Sequence, residues 1–77
     1  MTTKIFLTIK EVMEKERITQ KLLIERTGVR PATLSKYVNN YVSRIDFEVM
    51  ATILDGINAI TEKDYTIHDL VKSERKD

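Results

Sequence analysis

Thr19-Gln20-Lys21-Leu22-Leu23-Ile24-Glu25-Arg26-Thr27-Gly28-Val29-Arg30-Pro31-Ala32-Thr33-Leu34-Ser35-Lys36-Tyr37-Val38-Asn39-Asn40 is the stretch on which the fold turns. Thr19 is a good helix N-cap, because its hydroxyl oxygen can accept one of the first-turn N–H groups that have no intrahelical partner. A helix over Gln20–Thr27 follows, with Leu22, Leu23 and Ile24 as its apolar side. Gly28 ends it, since glycine takes the left-handed conformation that closes a last turn without a Cβ penalty. Val29 is a lone apolar residue placed to plug the corner. Pro31 suits the first turn of the next helix, where its missing N–H costs nothing and its φ is already helical. That helix is predicted over Pro31–Val38. Leu34, Tyr37 and Val38 turn inward, and Ala32, Thr33 and Lys36 turn outward. Asn39, Asn40 and Tyr41 then break the chain.

Working towards the N-terminus, Ile5, Leu7 and Ile9 alternate with Lys4, Phe6 and Thr8, the pattern of a short strand. Its free edge is expected to pair with Tyr65 to Ile67 or with a second chain. Thr8 and Glu11 have capping-box spacing and open a helix over Ile9–Glu16, with Ile9, Val12 and Met13 on one face. Towards the C-terminus, Asp46 caps a further helix whose buried stripe is read as Phe47, Met50, Ile53, Leu54 and Ile57. Gly56 within that helix implies close approach of a neighbour. Asn58 to Tyr65 reads as a polar loop. Thr66 and Asp69 repeat the cap-and-carboxylate spacing and open a short last helix through Ile67, Leu70 and Val71. Residues 72–77 are polar and expected to fray. The expected class is all-α, four to five helices in one domain over residues 1–77, with room for a short N-terminal strand.

At 77 residues the chain has space for one core and no separate effector domain. It contains no cysteine, so disulfides, thiolate metal sites and cysteine nucleophiles are excluded. His68 is the single histidine and cannot by itself hold an ordinary zinc ion. No acid is matched to a nucleophile, phosphate loop or metal cluster, so neither an enzyme nor a cofactor or small-molecule ligand is expected. No apolar run approaches the roughly 20 residues of a membrane span. The expectation is a soluble, cytoplasmic protein with no membrane partner. The net charge of +1 conceals a division. Residues 17–44 carry six cations (Arg17, Lys21, Arg26, Arg30, Lys36, Arg44) against Glu25, whereas residues 45–77 carry eight acids against four bases. A basic block between neutral and acidic flanks suits a polyanion, which releases counterions as its phosphates are neutralised.

Two short helices about a glycine-bearing turn, the second with a polar and basic outer side, form a helix-turn-helix arrangement over about residues 19–38. On Gln20, Leu23, Gly28, Val29, Leu34 and the Asn39-Asn40 exit, the sequence resembles the Cro/repressor-type (XRE-like) domains of phage repressors and bacterial regulators. The resemblance covers about residues 9–71 and implies a compact lambda-repressor-like DNA-binding domain. It departs from the family pattern at Ile24, where alanine is usual, and at Asn40, where glycine often stands; Pro31 also lacks a side-chain donor at a position that often reads bases. The resemblance implies that Gln20 and the start of its helix sit against a phosphate. Arg30, Pro31, Ala32, Thr33 and Lys36 would then face the groove, Lys36 donating to guanine O6 and N7, Ala32 touching a thymine methyl and Thr33 serving a base edge or phosphate. Arg30 and Arg44 are implied phosphate clamps, with Tyr41 and Ser43 as lesser contacts. Tyr37, on the inward side, is read as core support and not as a stacking platform.

The expected function is a sequence-specific transcriptional regulator of double-stranded DNA, a repressor acting as a homodimer, because one short helix reads few base pairs. The candidate dimer residues are Ile5, Phe6, Leu7, Ile67, Leu70 and Val71. The competing reading is a protein-interaction module on the same fold, such as an antitoxin, an anti-repressor or a phage accessory protein.

Overall fold

In the computed structural model, which describes residues 2–76, a strand and a four-residue helix bracket four longer helices, and a second strand closes the chain back on the first. The order is β1 (Thr2–Leu7), α1 (Ile9–Glu16), α2 (Gln20–Thr27), α3 (Pro31–Val38), α4 (Phe47–Thr61), α5 (Ile67–Leu70) and β2 (Val71–Lys76). The fold is therefore mostly helical, but not all-α. β1 and β2 form a two-stranded antiparallel sheet with Leu7 opposite Val71 and Thr2 opposite Lys76.

α1, α2 and α3 span the residues expected of them, because local chemistry fixes their ends. The Thr19 hydroxyl accepts the Leu22 N–H at 3.1 Å, Gly28 closes α2 at φ 74°, and Pro31 occupies the first turn of α3. The core joins Leu23 of α2, Leu34, Tyr37 and Val38 of α3, and Met50, Ile53 and Ile57 of α4 to Ile9, Val12 and Met13 of α1. Val29 packs against it from the turn. Gly56 is needed where α4 crosses α2: a Cβ there would collide with Thr27 Cγ2 and stand 3.0 Å from Leu23 Cδ1. That collision makes the glycine a contact point between the two helices and not a defect in α4.

Several expectations fail, each for a reason beyond the reach of local sequence. Residues 72–76, expected to fray, form β2, and its register lies against β1; the Tyr65 to Ile67 segment does not supply β1's partner. Asp77, the last residue of that expected tail, lies outside the described residues. Val71 begins β2 and does not belong to the last helix. The Thr8 hydroxyl makes no cap to α1; it donates to the Asp69 carbonyl at 2.7 Å, while Thr8 N–H donates to the Leu70 carbonyl at 2.7 Å. Tertiary partners thus displace the local capping box. The Thr66–Asp69 pair does form one, with Thr66 N–H donating to the Asp69 carboxylate at 2.9 Å.

α4 runs on through Asn58–Thr61, which had the look of a loop, because Ile57 and Ile60 continue the inward spacing and Thr61 bonds back to the Ile57 carbonyl. Phe47 is 87% exposed and no part of the buried stripe. It is the first residue of α4, and Tyr37, whose hydroxyl accepts the Asp46 N–H at 2.8 Å, already stands at that level of the core. Among the described residues no helix is long and apolar enough to cross a membrane.

Candidate nucleic-acid interface

α3 is divided along its length. Leu34, Tyr37 and Val38 are at most 4% exposed, so the helix is anchored through one side. Pro31, Ala32 and Lys36 on the other side are exposed, with Thr33 and Ser35 half-buried at the margins. The i, i+4 spacing of Ala32 and Lys36 puts them on one line along the helix, with Thr33 beside it. Arg30 is the exposed N-cap residue of α3 and provides no side-chain cap, leaving its guanidinium uncommitted.

Charge at the helix starts separates α2 and α3 from the rest. Neither has an acid in its first turn, while α1, α4 and α5 carry Glu11, Glu48 and Asp69 there. A carboxylate at a helix start competes with an incoming anion for the same N–H groups and dipole. α4 goes further, since the Asp46 carboxylate accepts both the Glu48 and Val49 N–H groups. The starts of α2 and α3 are the ones left compatible with phosphate. Gln20 is the half-buried first residue of α2, and the exposed Lys21 follows it. Among the described residues, Lys21, Arg30, Lys36 and Arg44 form no ion pair.

Beyond α3 the chain is held by its own polar groups. Asn40 takes the left-handed conformation, φ 61°, at the place where a glycine is common in the family it resembles. Its side chain explains the choice. The amide oxygen accepts the Leu7 N–H at 2.7 Å and the amide nitrogen donates to the Leu7 carbonyl at 2.9 Å, so Asn40 imitates a neighbouring strand on the free edge of β1. Glycine could supply the backbone but not this clamp. Asn39, the neighbouring residue, donates to the Ser35 carbonyl and hydroxyl and secures the last turn. Tyr41 (79% exposed), Ser43 and Arg44 follow on an exposed loop that ends at the Tyr37–Asp46 bond. Tyr37 is accordingly core support, as its position on the inward side suggested.

The sequence-predicted residues thus divide. Arg30, Pro31, Ala32 and Lys36 share the exposed surface at the start and outer side of α3, Gln20 stands at the start of α2, and Tyr41 and Arg44 lie on the loop after α3. Of the dimer candidates, Leu7 and Leu70 are core residues, 3% and 0% exposed, and cannot make an intermolecular surface. Phe6 and Val71 are half-buried, and Ile5 and Ile67 remain exposed. Sequence reasoning missed Lys21 as a cation beside the α2 start and Asn40 as the residue that positions the α3 exit. The acid-free first turns were a readable signal for the first. Nothing local announced the second, whose partner lies 33 residues away.

Residues 8–59 match the family model of the Cro/C1-type HTH DNA-binding domain. No curated protein and no solved structure matches the chain.

Proposed function

The chain belongs to the Cro/C1-type HTH DNA-binding domain family, and on that premise we propose that it is a sequence-specific regulator of transcription, a cytoplasmic repressor that sets α3 into the major groove. The observation carrying this reading is the outer side of α3, exposed and unpaired, between two helix starts that hold no acid. Lys36 donates to guanine O6 and N7, Ala32 meets a thymine methyl, and Thr33 serves a base edge or a phosphate. Gln20 and the α2 start take one phosphate; Arg30 and Arg44 clamp others, with Tyr41 alongside. Pro31 fixes the φ of the entry into the groove without offering a donor.

Eight residues at about 1.5 Å each make α3 roughly 12 Å long. Such a helix reads only a few base pairs, so a homodimer on a two-fold site is the economical arrangement. Repression follows from occupancy, since a bound dimer excludes other proteins from that duplex. The protein binds and does not catalyse, and the reading calls for no cofactor or small-molecule ligand.

Salt dependence tests the proposal. Neutralising about five phosphates gives a log–log slope of affinity against salt near −4 to −5. A flat response would exclude DNA as the partner and favour the protein-interaction reading of the same fold.

A further inference from the structure

β1 and β2 make a ribbon that the rest of the chain covers only at its root. Leu7 is buried and Val71 half-buried, whereas Thr2–Ile5 and Lys72–Lys76 are exposed, Ile5 at 68%. Two strands alone are marginal in water, and sheets gain independent stability from a third or fourth. The two edges of the ribbon are not equivalent. Leu7 turns its N–H and carbonyl away from β2 and gives both to Asn40, which closes the lower part of the β1 edge. A two-fold pairing of the remaining β1 residues would centre on Lys4 and set two lysines opposite each other, a repulsive arrangement.

The β2 edge has the opposite character. Antiparallel ladders alternate, so with Leu7–Val71 a pair that exchanges no main-chain bonds, Ser73 likewise turns its N–H and carbonyl outward from β1. We propose that β2 pairs antiparallel with β2 of a second copy of this chain, the two-fold axis passing at Ser73, to form a four-stranded sheet in the order β1–β2–β2–β1. In that register Ser73 exchanges both main-chain bonds with the partner's Ser73. Lys72 faces the partner's Glu74 and Glu74 faces the partner's Lys72, at the closely spaced pairs where cross-strand side chains interact most. The edge is thus self-complementary in charge, which an isologous contact requires. Both β1 edges, and with them both α3 exits held by Asn40, are left on the outside of the new sheet, with the second copy away from the groove-reading side. The inference gives the homodimer of the proposed function its surface, and self-association is measured without DNA, so the two readings can fail separately.

Lys72→Glu makes an all-acidic edge and Glu74→Lys an all-basic one, at positions exposed in the single chain. Sedimentation of each variant, with circular dichroism confirming that it is folded, should show self-association weakened about tenfold or more relative to the parent. An equimolar mixture of the two should recover the dimer, because each acidic edge then meets a basic one. Ser73→Cys provides a check independent of charge: mild oxidation should yield a covalent dimer across the axis. A monomeric parent, folded single variants that dimerise like the parent, a mixture that stays monomeric, or a Ser73→Cys chain that does not cross-link would each overturn the proposal. Loss of DNA binding with dimerisation intact would instead overturn only the DNA reading.

Discussion

At the α2–α3 corner the cations Lys21, Arg30, Lys36 and Arg44 stand exposed without acidic partners among the described residues, and the first turns of both helices hold no carboxylate. On the side where α1 meets the α4–α5 connection, polar groups are used up within the chain. Lys63 pairs with Glu16 at 2.8 Å, the Tyr65 hydroxyl donates to the same carboxylate, and the Asn58 amide pairs with both the N–H and the carbonyl of Tyr65 at 2.8 and 3.0 Å. Asn40 does the same to Leu7. Polar side chains that serve the fold are thus satisfied internally, and those left unsatisfied on a rigid support are free for a partner. Buried or half-buried groups must find partners to offset desolvation, whereas exposed cations meet no such demand.

The strongest way to break this contrast is to remove the support itself. Leu34→Ala takes a fully buried side chain from beneath the exposed side of α3 and should cost roughly 2 to 5 kcal/mol of stability. Denaturant unfolding measures it, and a loss below about 1 kcal/mol would mean that α3 is not anchored through this residue. Asn40→Gly is gentler, keeping the left-handed backbone while deleting the clamp on Leu7. It should cost roughly 1 to 3 kcal/mol for main-chain groups left without partners, and faster amide exchange at Leu7 should accompany it.

The smallest effect belongs to the paired side. Hydrogen bonds from Lys63 and Tyr65 hold the Glu16 carboxyl below its ordinary value of 4.5. A carboxyl lowered by folding stabilises the native state above that ordinary value and loses the contribution as pH falls through its folded value. The gap in melting temperature between the parent and Glu16→Gln should therefore narrow on acidification below about 4.5, and a gap independent of pH would contradict the pairing. Lys63 and Tyr65 are both raised, chiefly by their bonds to Glu16, so their contributions are lost only at the alkaline end.

The same contrast explains what could be read in advance. The limits of α1, α2 and α3 were legible because Thr19, Gly28 and Pro31 act within a turn of their own positions. The outer residues Ala32 and Lys36 were legible from helical spacing and charge. β2 was not, since Lys72–Lys76 is exposed and shows no apolar alternation, and it becomes a strand only by pairing with residues far back in the chain. Thr8 was misread for a related reason: its partners, Asp69 and Leu70, lie at the opposite end of the sequence. Phe47 fitted the stripe by spacing, but spacing does not say where the core stops.

The central claim, that the outer side of α3 reads base edges, is tested most directly by measuring the affinity of Lys36→Ala for a duplex selected from random DNA and for unselected duplex. The account predicts a loss of roughly 1 to 3 kcal/mol on the selected site, with much less on unselected DNA and an unchanged melting temperature. Equal losses on both duplexes, or none on the selected one, would contradict it.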